Sequence, residues 1–472
     1  MFGFSDRSIS NLLFWITRKK WLILSFLLSI SFFYFPTPDG LSSEGHRTLI
    51  IVIVALSLIV SETIPLPAVA MLILIMEVVL GVDTPDGVAS SFMSDAVLFI
   101  MGSLMLAVSI VHQGLDKRLA LLVITITGNK TWRIVLGFVT ISALLSSFIG
   151  EHTVGAMMLP VALALIRNAG LDTGKATKLS SVLLFSIAYG CAIGSIGTPS
   201  GGGRNAIMIG YLAEFGMAEI SYLDWIKMTY PMLILEIPIV SLILWRTFTP
   251  SQKTMDSSVR KLKVQVAKKG KLNANQLMAI GIFILVFLGW IFFSPIFGLG
   301  TVALSGVFLY LSFGLINWKE INRNTNWGVI LLFGSAISLG IQMKETGAAF
   351  WVAGQILTYL EIIFQDVEIV RWFVSVIVTG LLTNLLSSAA TVAVLGPIVL
   401  DMGGNPVITG FMTSIASAFA YLTVVASPTC MIIHSTGLIT ASDYFKAGWK
   451  LFIISVFLLL IVSLFYWPSL SL

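Results

Sequence analysis

The chain has 472 residues, 57% of them hydrophobic and only 11% charged, with a mean hydropathy of +0.96. Apolar stretches near spanning length recur from end to end, which excludes a soluble domain and predicts an all-α polytopic membrane protein. The net charge of +5 is not a nucleic-acid signature, because the basic residues sit in short loops between apolar runs.

In chain order, Arg18, Lys19 and Lys20 precede an apolar run at 21–36 with no small-x-small cleavage site after it, so the run reads as an uncleaved first span. Further spans are predicted at 46–61, 64–81 and 95–112. Glu62, at a span edge, reads as a helix cap. The segment 133–168 is too short for two spans. Arms of about 15 residues reach only ~22–24 Å, against a hydrocarbon core of ~30 Å. It is predicted as a re-entrant hairpin with a buried tip. An interrupted span follows at 179–209, then a span at 224–246 and a basic linker at 249–275. Spans at 276–294, 299–316 and 327–344 lead to a second hairpin at 371–403, a second interrupted span at 407–436 and a last span at 448–467. The sum is about eleven spans plus two hairpins. Trp225, Trp327 and Trp449 read as interface anchors.

Basic residues fall on one side of this topology, including Lys117, Arg118, Lys130, Arg133, Lys319, Arg323 and the linker lysines. The opposite loops carry Asp39, Glu44, Asp83, Asp86, Glu214 and Glu219. The asymmetry predicts a protein of the inner (plasma) membrane with a cytoplasmic N-terminus and an external C-terminus. The halves also repeat: Gly102-Ser103 and Gly114 are answered by Gly334-Ser335 and Gly347, each before an amphipathic stretch, a hairpin and a broken span. The expected organisation is an N-terminal segment at 1–44, repeat one at 45–248, the linker, and repeat two at 276–472. Five spans plus a hairpin per unit invert the second copy, so the hairpins enter from opposite faces and their tips meet.

The candidate site lies at the interruptions. Gly150-Glu151-His152-Thr153 breaks the first hairpin and Ser387-Ser388 the second, while Thr198-Pro199-Ser200-Gly201 and Ser427-Pro428-Thr429 break the two spans. Polar backbone at membrane depth survives only where protein or a water-filled cavity surrounds it. Helix N-termini at such breaks offer unpaired N–H groups and positive potential to an anion. Arg204, followed by Asn205, adds a guanidinium that can grip a carboxylate or sulfate through two bonds. Glu151 and His152 form a candidate proton-coupling pair, and Glu151 can equally serve as counter-charge for Arg204 when no substrate is bound. Glu236 and Glu77 also interrupt apolar runs and find no role at this level.

These motifs resemble the divalent-anion/sodium symporter family over roughly residues 45–468. The resemblance rests on Glu62-Thr63-Ile64-Pro65-Leu66-Pro67, Ala156-Met157-Met158-Leu159-Pro160, Ser195-Ile196-Gly197-Thr198-Pro199, the run from Trp327 to Gly334, and the hairpin ending at Pro397. It implies a homodimer whose hairpins and broken helices slide as an elevator against a scaffold. It also implies tips built on a Ser-Asn-Thr motif that contacts sodium and substrate. Counting back from each proline, Gly150-Glu151-His152 and Ser387-Ser388-Ala389 stand at those places, so both asparagines read as lost. Ser146 and Thr383, a turn before each tip, remain candidate cation ligands with Gly150, Glu151, Ser387 and Ser388.

The expectation is a secondary transporter of di- or tricarboxylates, coupled to Na+ or H+ or running by exchange, with no cofactor. Its expected partners are a small anion, the lipid bilayer and a second copy of itself. The alternative is a cation/proton antiporter or a sulfate-like permease of the same fold. An intramembrane hydrolase is disfavoured, because His152 has no orienting partner beyond Glu151 and no His-Glu-x-x-His occurs.

Overall fold

The computed structural model describes residues 31–61, 63–115, 127–169, 177–267 and 271–470, together with Leu24, Leu27 and Arg118. Most of the first predicted span, most of the amphipathic stretch after Gly114, and Glu62 lie outside the described residues. The helices are α1 (Ser43–Ser61), α2 (Leu66–Val79), α3 (Asp95–His112), α4 (Thr131–Ile149), α5 (Glu151–Asn168), α6 (Lys178–Gly194), α7 (Gly203–Glu214), α8 (Tyr222–Phe248) and α9 (Asp256–Ala267). They continue as α10 (Ala274–Phe292), α11 (Leu299–Ser312), α12 (Trp327–Glu345), α13 (Ala348–Phe364) and α14 (Val367–Trp372). The last four are α15 (Ser388–Asp401), α16 (Pro406–Ala416), α17 (Pro428–His434) and α18 (Ala441–Ile461). Among the described residues, seven helices are long and apolar enough to cross a membrane, and three of the shorter apolar helices, α6, α15 and α16, adjoin the breaks. The protein is an all-helical membrane protein.

The arms of the first hairpin are longer than the sequence suggests. α4 has 19 residues and α5 has 18, or ~27–28 Å each at 1.5 Å per residue. The helix runs through Ser146 and Ser147, whose hydroxyls donate to Cys191 O and Gly194 O, both at 2.8 Å. It stops at Gly150, whose φ of +80° is open to glycine without strain. The arm before the second tip runs from α14 through a π-helical stretch, Phe373–Val378, to Thr379–Leu382.

Helix prolines create a second demand. A proline has no N–H for the carbonyl four residues before it. Pro231 frees Lys227 O, which accepts from the Tyr466 hydroxyl at 3.0 Å. Pro397 frees Ala393 O, which lies 2.9 Å from the Tyr211 hydroxyl; the same hydroxyl lies 2.8 Å from Ala336 O on α12. The linker is more than a plain tether: Thr131 and Met255 exchange backbone bonds with Lys253 and Asn129, and Ser258 on α9 donates to Leu165 O at 3.2 Å.

α4 and α6 form the tightest helix pair near the site. A Cβ at Gly190 would stand 2.8 Å from Val139 O, and one at Gly194 would run into the Ala143 backbone. Small residues at such crossings let backbones approach where lipid supplies no hydrophobic drive. We expect Gly194→Ala to cost about 1–3 kcal/mol through overpacking. The check is a lower melting temperature of the full chain in detergent. Gly281→Ala on α10, where a Cβ meets nothing within 4 Å, should leave it unchanged.

Candidate substrate site

Helix α6 ends at Gly194, the chain unwinds, and α7 begins at Gly203. Unwinding frees carbonyls that must find donors. Asn205 Nδ2 donates to Ser195 O and Thr198 O, both at 2.8 Å. Trp225 Nε1 donates to Ile196 O at 2.9 Å, and Thr229 Oγ1 donates to Gly197 O at 2.9 Å. Thr198 Oγ1 donates back to Ser147 O in the hairpin. Gly201 threads between backbones, since a Cβ there would lie 2.8 Å from both Ser147 O and Ser195 O. Trp225 is therefore not an interface anchor. It is fully buried, its ring 4.5 Å from that of Phe411, because the break requires its N–H. Trp327 and Trp449 are partly exposed, as expected of anchors.

The second half reaches the same end with different residues. The chain unwinds between α16 and α17. Asn384 Nδ2 donates to Phe419 O at 2.9 Å and to Gly380 O at 2.7 Å, while its Oδ1 accepts from Leu422 N at 2.7 Å. Thr383 Oγ1 donates to Ser417 O at 2.7 Å. The sequence reading missed Asn384 because it fixed the tip by counting back from Pro397. The unwound tip begins earlier, at Thr383, and one asparagine persists there. The available signal was a lone Asn inside the apolar run Leu381–Leu386.

A cavity of about 170 Å³ lies where the two hairpin tips and the two breaks meet. Gly150, Glu151, His152, Pro199, Ser200, Gly201, Arg204, Ser387, Ser388 and Pro428 line it. The first residues of α5, α7, α15 and α17 are all among the lining residues, so four helix N-termini converge on one space. Leu66, Phe99, Leu332 and Phe333 form an apolar wall. The remaining predicted residues stand behind the lining. Thr198, Asn205, Ser146 and Thr383 are committed to the bonds above. Ser427 caps α17 by accepting from Cys430 N at 3.2 Å, and Thr429 donates to Glu151 O at 2.9 Å. Thr153 lines instead a second cavity of about 450 Å³, shared with His152, that runs to His112, Asn324 and Asn326.

Arg204 is 2% exposed. Its Nη2 donates to Ser195 Oγ at 2.5 Å and its Nη1 to Ser388 Oγ at 3.4 Å, so one side chain touches the first break and the second tip. Its Nε has no partner. Glu151, read from the sequence as one possible counter-charge for Arg204, lies near it across Ser195, and among the described residues no carboxylate is within ion-pair distance of the guanidinium. The result is a buried cation with a spare donor beside four helix N-termini, an arrangement that favours an anion.

Comparison with known proteins agrees with this geometry. The chain is 27% identical over 477 residues to the sodium-dependent dicarboxylate transporter SdcS of Staphylococcus saprophyticus, covering 95% of this chain and 91% of that one. It is 24% identical over 453 residues to the sodium-dependent high-affinity dicarboxylate transporter 3 of Caenorhabditis elegans, covering 86% and 80%. Two solved structures share the fold. MtrF of Neisseria gonorrhoeae gives a TM-score of 0.55 at 11% identity, covering 95% of this chain and 94% of that one. The YdaH transporter of Alcanivorax borkumensis gives 0.52 at 13%, covering 80% and 86%. The family described as the sodium:sulfate symporter transmembrane region matches residues 17–472. With nearly its whole length inside that match, the chain belongs to the sodium:sulfate symporter family of membrane transporters.

Proposed function

We propose that the chain is a secondary active transporter of di- or tricarboxylates, working by elevator-type alternating access as a homodimer and coupled to sodium. The observation that carries the reading is the convergence of four helix N-termini on a cavity that also holds Arg204. A cation cargo is disfavoured by the same potential. The wall of Phe99 and Phe333 suits a carbon backbone better than it suits sulfate. In this reading Arg204 grips one carboxylate, the N-termini of α5 and α15 receive the other, and Ser200 and Ser388 supply hydroxyl donors.

Sodium coupling is supported by the relatives, which are named as sodium-dependent dicarboxylate transporters. Ser146 and Thr383 each donate to a break carbonyl and so keep oxygen lone pairs for a cation. Filling such a position would stiffen a break before the anion arrives. The second cavity, which ends at His112 and Asn324, is then the route to the cytoplasm. The hairpins, breaks, α8 and α18 would move together against α1–α3 and α10–α13.

In liposomes containing the purified chain, labelled succinate should accumulate under an inward sodium gradient. Accumulation without sodium, driven by a proton gradient or by internal dicarboxylate, would reject sodium as the coupling ion. Arg204→Ala should lower succinate affinity by at least about tenfold to a hundredfold, the loss of one or two hydrogen bonds to a charged group. Uptake unchanged in that variant removes Arg204 from the site. Glu151→Gln should preserve succinate exchange while reducing cation-driven accumulation; full accumulation would leave Glu151 without a coupling role.

A further inference from the structure

Glu236 lies in the middle of α8, 1% exposed, and neither carboxylate oxygen has a hydrogen-bond partner. Two other buried oxygens share this condition, Ser455 Oγ on α18 and the Tyr421 hydroxyl in the unwound segment between α16 and α17. The three side chains form one cluster: Glu236 interacts with Ser455, and Tyr421 interacts with both. Isolated orphan oxygens are rare in folded proteins, and four converging from three elements call for an occupant. A bare carboxylate at membrane depth is costly unless something neutralises it. No Lys or Arg among the described residues lies within ion-pair reach of Glu236.

The surroundings limit what the occupant can be. All four oxygens are sealed from water. A sodium ion needs several oxygens and a space of its own, whereas a proton needs one lone pair and no volume. The packed elements bring no other neutraliser. α10 has no titratable side chain. α4 offers only Arg133 near its start, and α6 offers Lys178 at its first residue, Tyr189 and Cys191. On α18, Asp443, Tyr444 and Lys446 belong to the first two turns, and Lys450 bonds Thr247 near the far end of α8.

The site is wired to the transport machinery through Tyr421. Its backbone carbonyl accepts from the Tyr189 hydroxyl at 2.9 Å, and the next amide, Leu422 N, donates to Asn384 in the second hairpin tip. We propose that Glu236, with Ser455 and Tyr421, forms a buried proton-binding site that loads and releases one proton as the second break rearranges. The proton comes from water reaching the carboxylate when the break opens, forms a single O–H bond, and returns to water by the reverse step. The proposed role in transport rests on the anion-transporter reading, while the proton site itself does not.

The test is infrared spectroscopy of the full chain in lipid across a pH titration. Wild type should show the carbonyl stretch of a protonated carboxylic acid in apolar surroundings at neutral pH, and Glu236→Gln should remove one component of it, leaving any share from buried Glu77. Ser455→Ala removes the hydroxyl nearest the carboxylate, so the titration of the band should move. The dependence of succinate uptake on pH should flatten in Glu236→Gln. A band equal in wild type and Glu236→Gln overturns the proposal, as does an unmoved titration in Ser455→Ala. The Ser455 variant carries the test if Glu236→Gln fails to fold. Because the band requires no substrate, a chain that shows it yet moves no succinate overturns the anion reading alone.

Discussion

Everything near the site depends on capping backbone carbonyls that helix breaks leave bare in a low-dielectric medium. In the first break six carbonyls, from Cys191 to Thr198, take donors from Ser146, Ser147, Asn205, Trp225 and Thr229. Each orphan costs about 1–3 kcal/mol. Cys191 O, Gly194 O and Thr198 O also accept backbone N–H bonds, but Ser195 O, Ile196 O and Gly197 O rely on side chains alone, and leaving those three bare would remove a large part of a typical net folding stability of ~5–15 kcal/mol. The caps are therefore a condition for folding, and they also fix where the four helix N-termini point. The positive potential at the cavity is the geometric remainder of a problem solved with amides, hydroxyls and one indole.

The two halves solve that problem with different chemistry in equivalent places. In the first, an asparagine just inside α7 reaches back to the break and forward to Ser414 on α16. In the second, an asparagine in the hairpin tip reaches across to the break. The first tip carries Glu151 where the second carries uncharged serines, so the cavity is electrically lopsided. Arg204 spans the two sides, bonded to Ser195 and Ser388. In the proposed reading, a dianion entering between them would meet donors from both halves at once and couple the two tips.

Much of this was legible in the sequence. Apolar length located the spans, and the polar interruptions located ten of the residues that line the cavity, because polar residues at membrane depth have few reasons to exist. Arg204 stood out for the same reason. Other features were hidden by physics that a one-dimensional reading handles poorly. The hydroxyls of Ser146 and Ser147 are satisfied by carbonyls of a neighbouring helix, a pairing no local pattern announces. Trp225 looked like an interface residue, and only the break at Ile196 reveals why it is interior. Asn384 was displaced by the choice of a proline as ruler. The Glu236 cluster draws on α8, α18 and the second break, which no local motif connects.

The Tyr211 hydroxyl has one proton and two carbonyls within reach, Ala336 O on α12 and Ala393 O on α15. It cannot donate fully to both. If either helix shifts so that one of these bonds lengthens, the other carbonyl can still accept, so the phenol keeps a partner. Gly340 keeps the α12 surface flat beneath the ring, since a Cβ there would collide with it. Such a contact ties α7 to both α12 and α15 while leaving the hydroxyl a choice of acceptor.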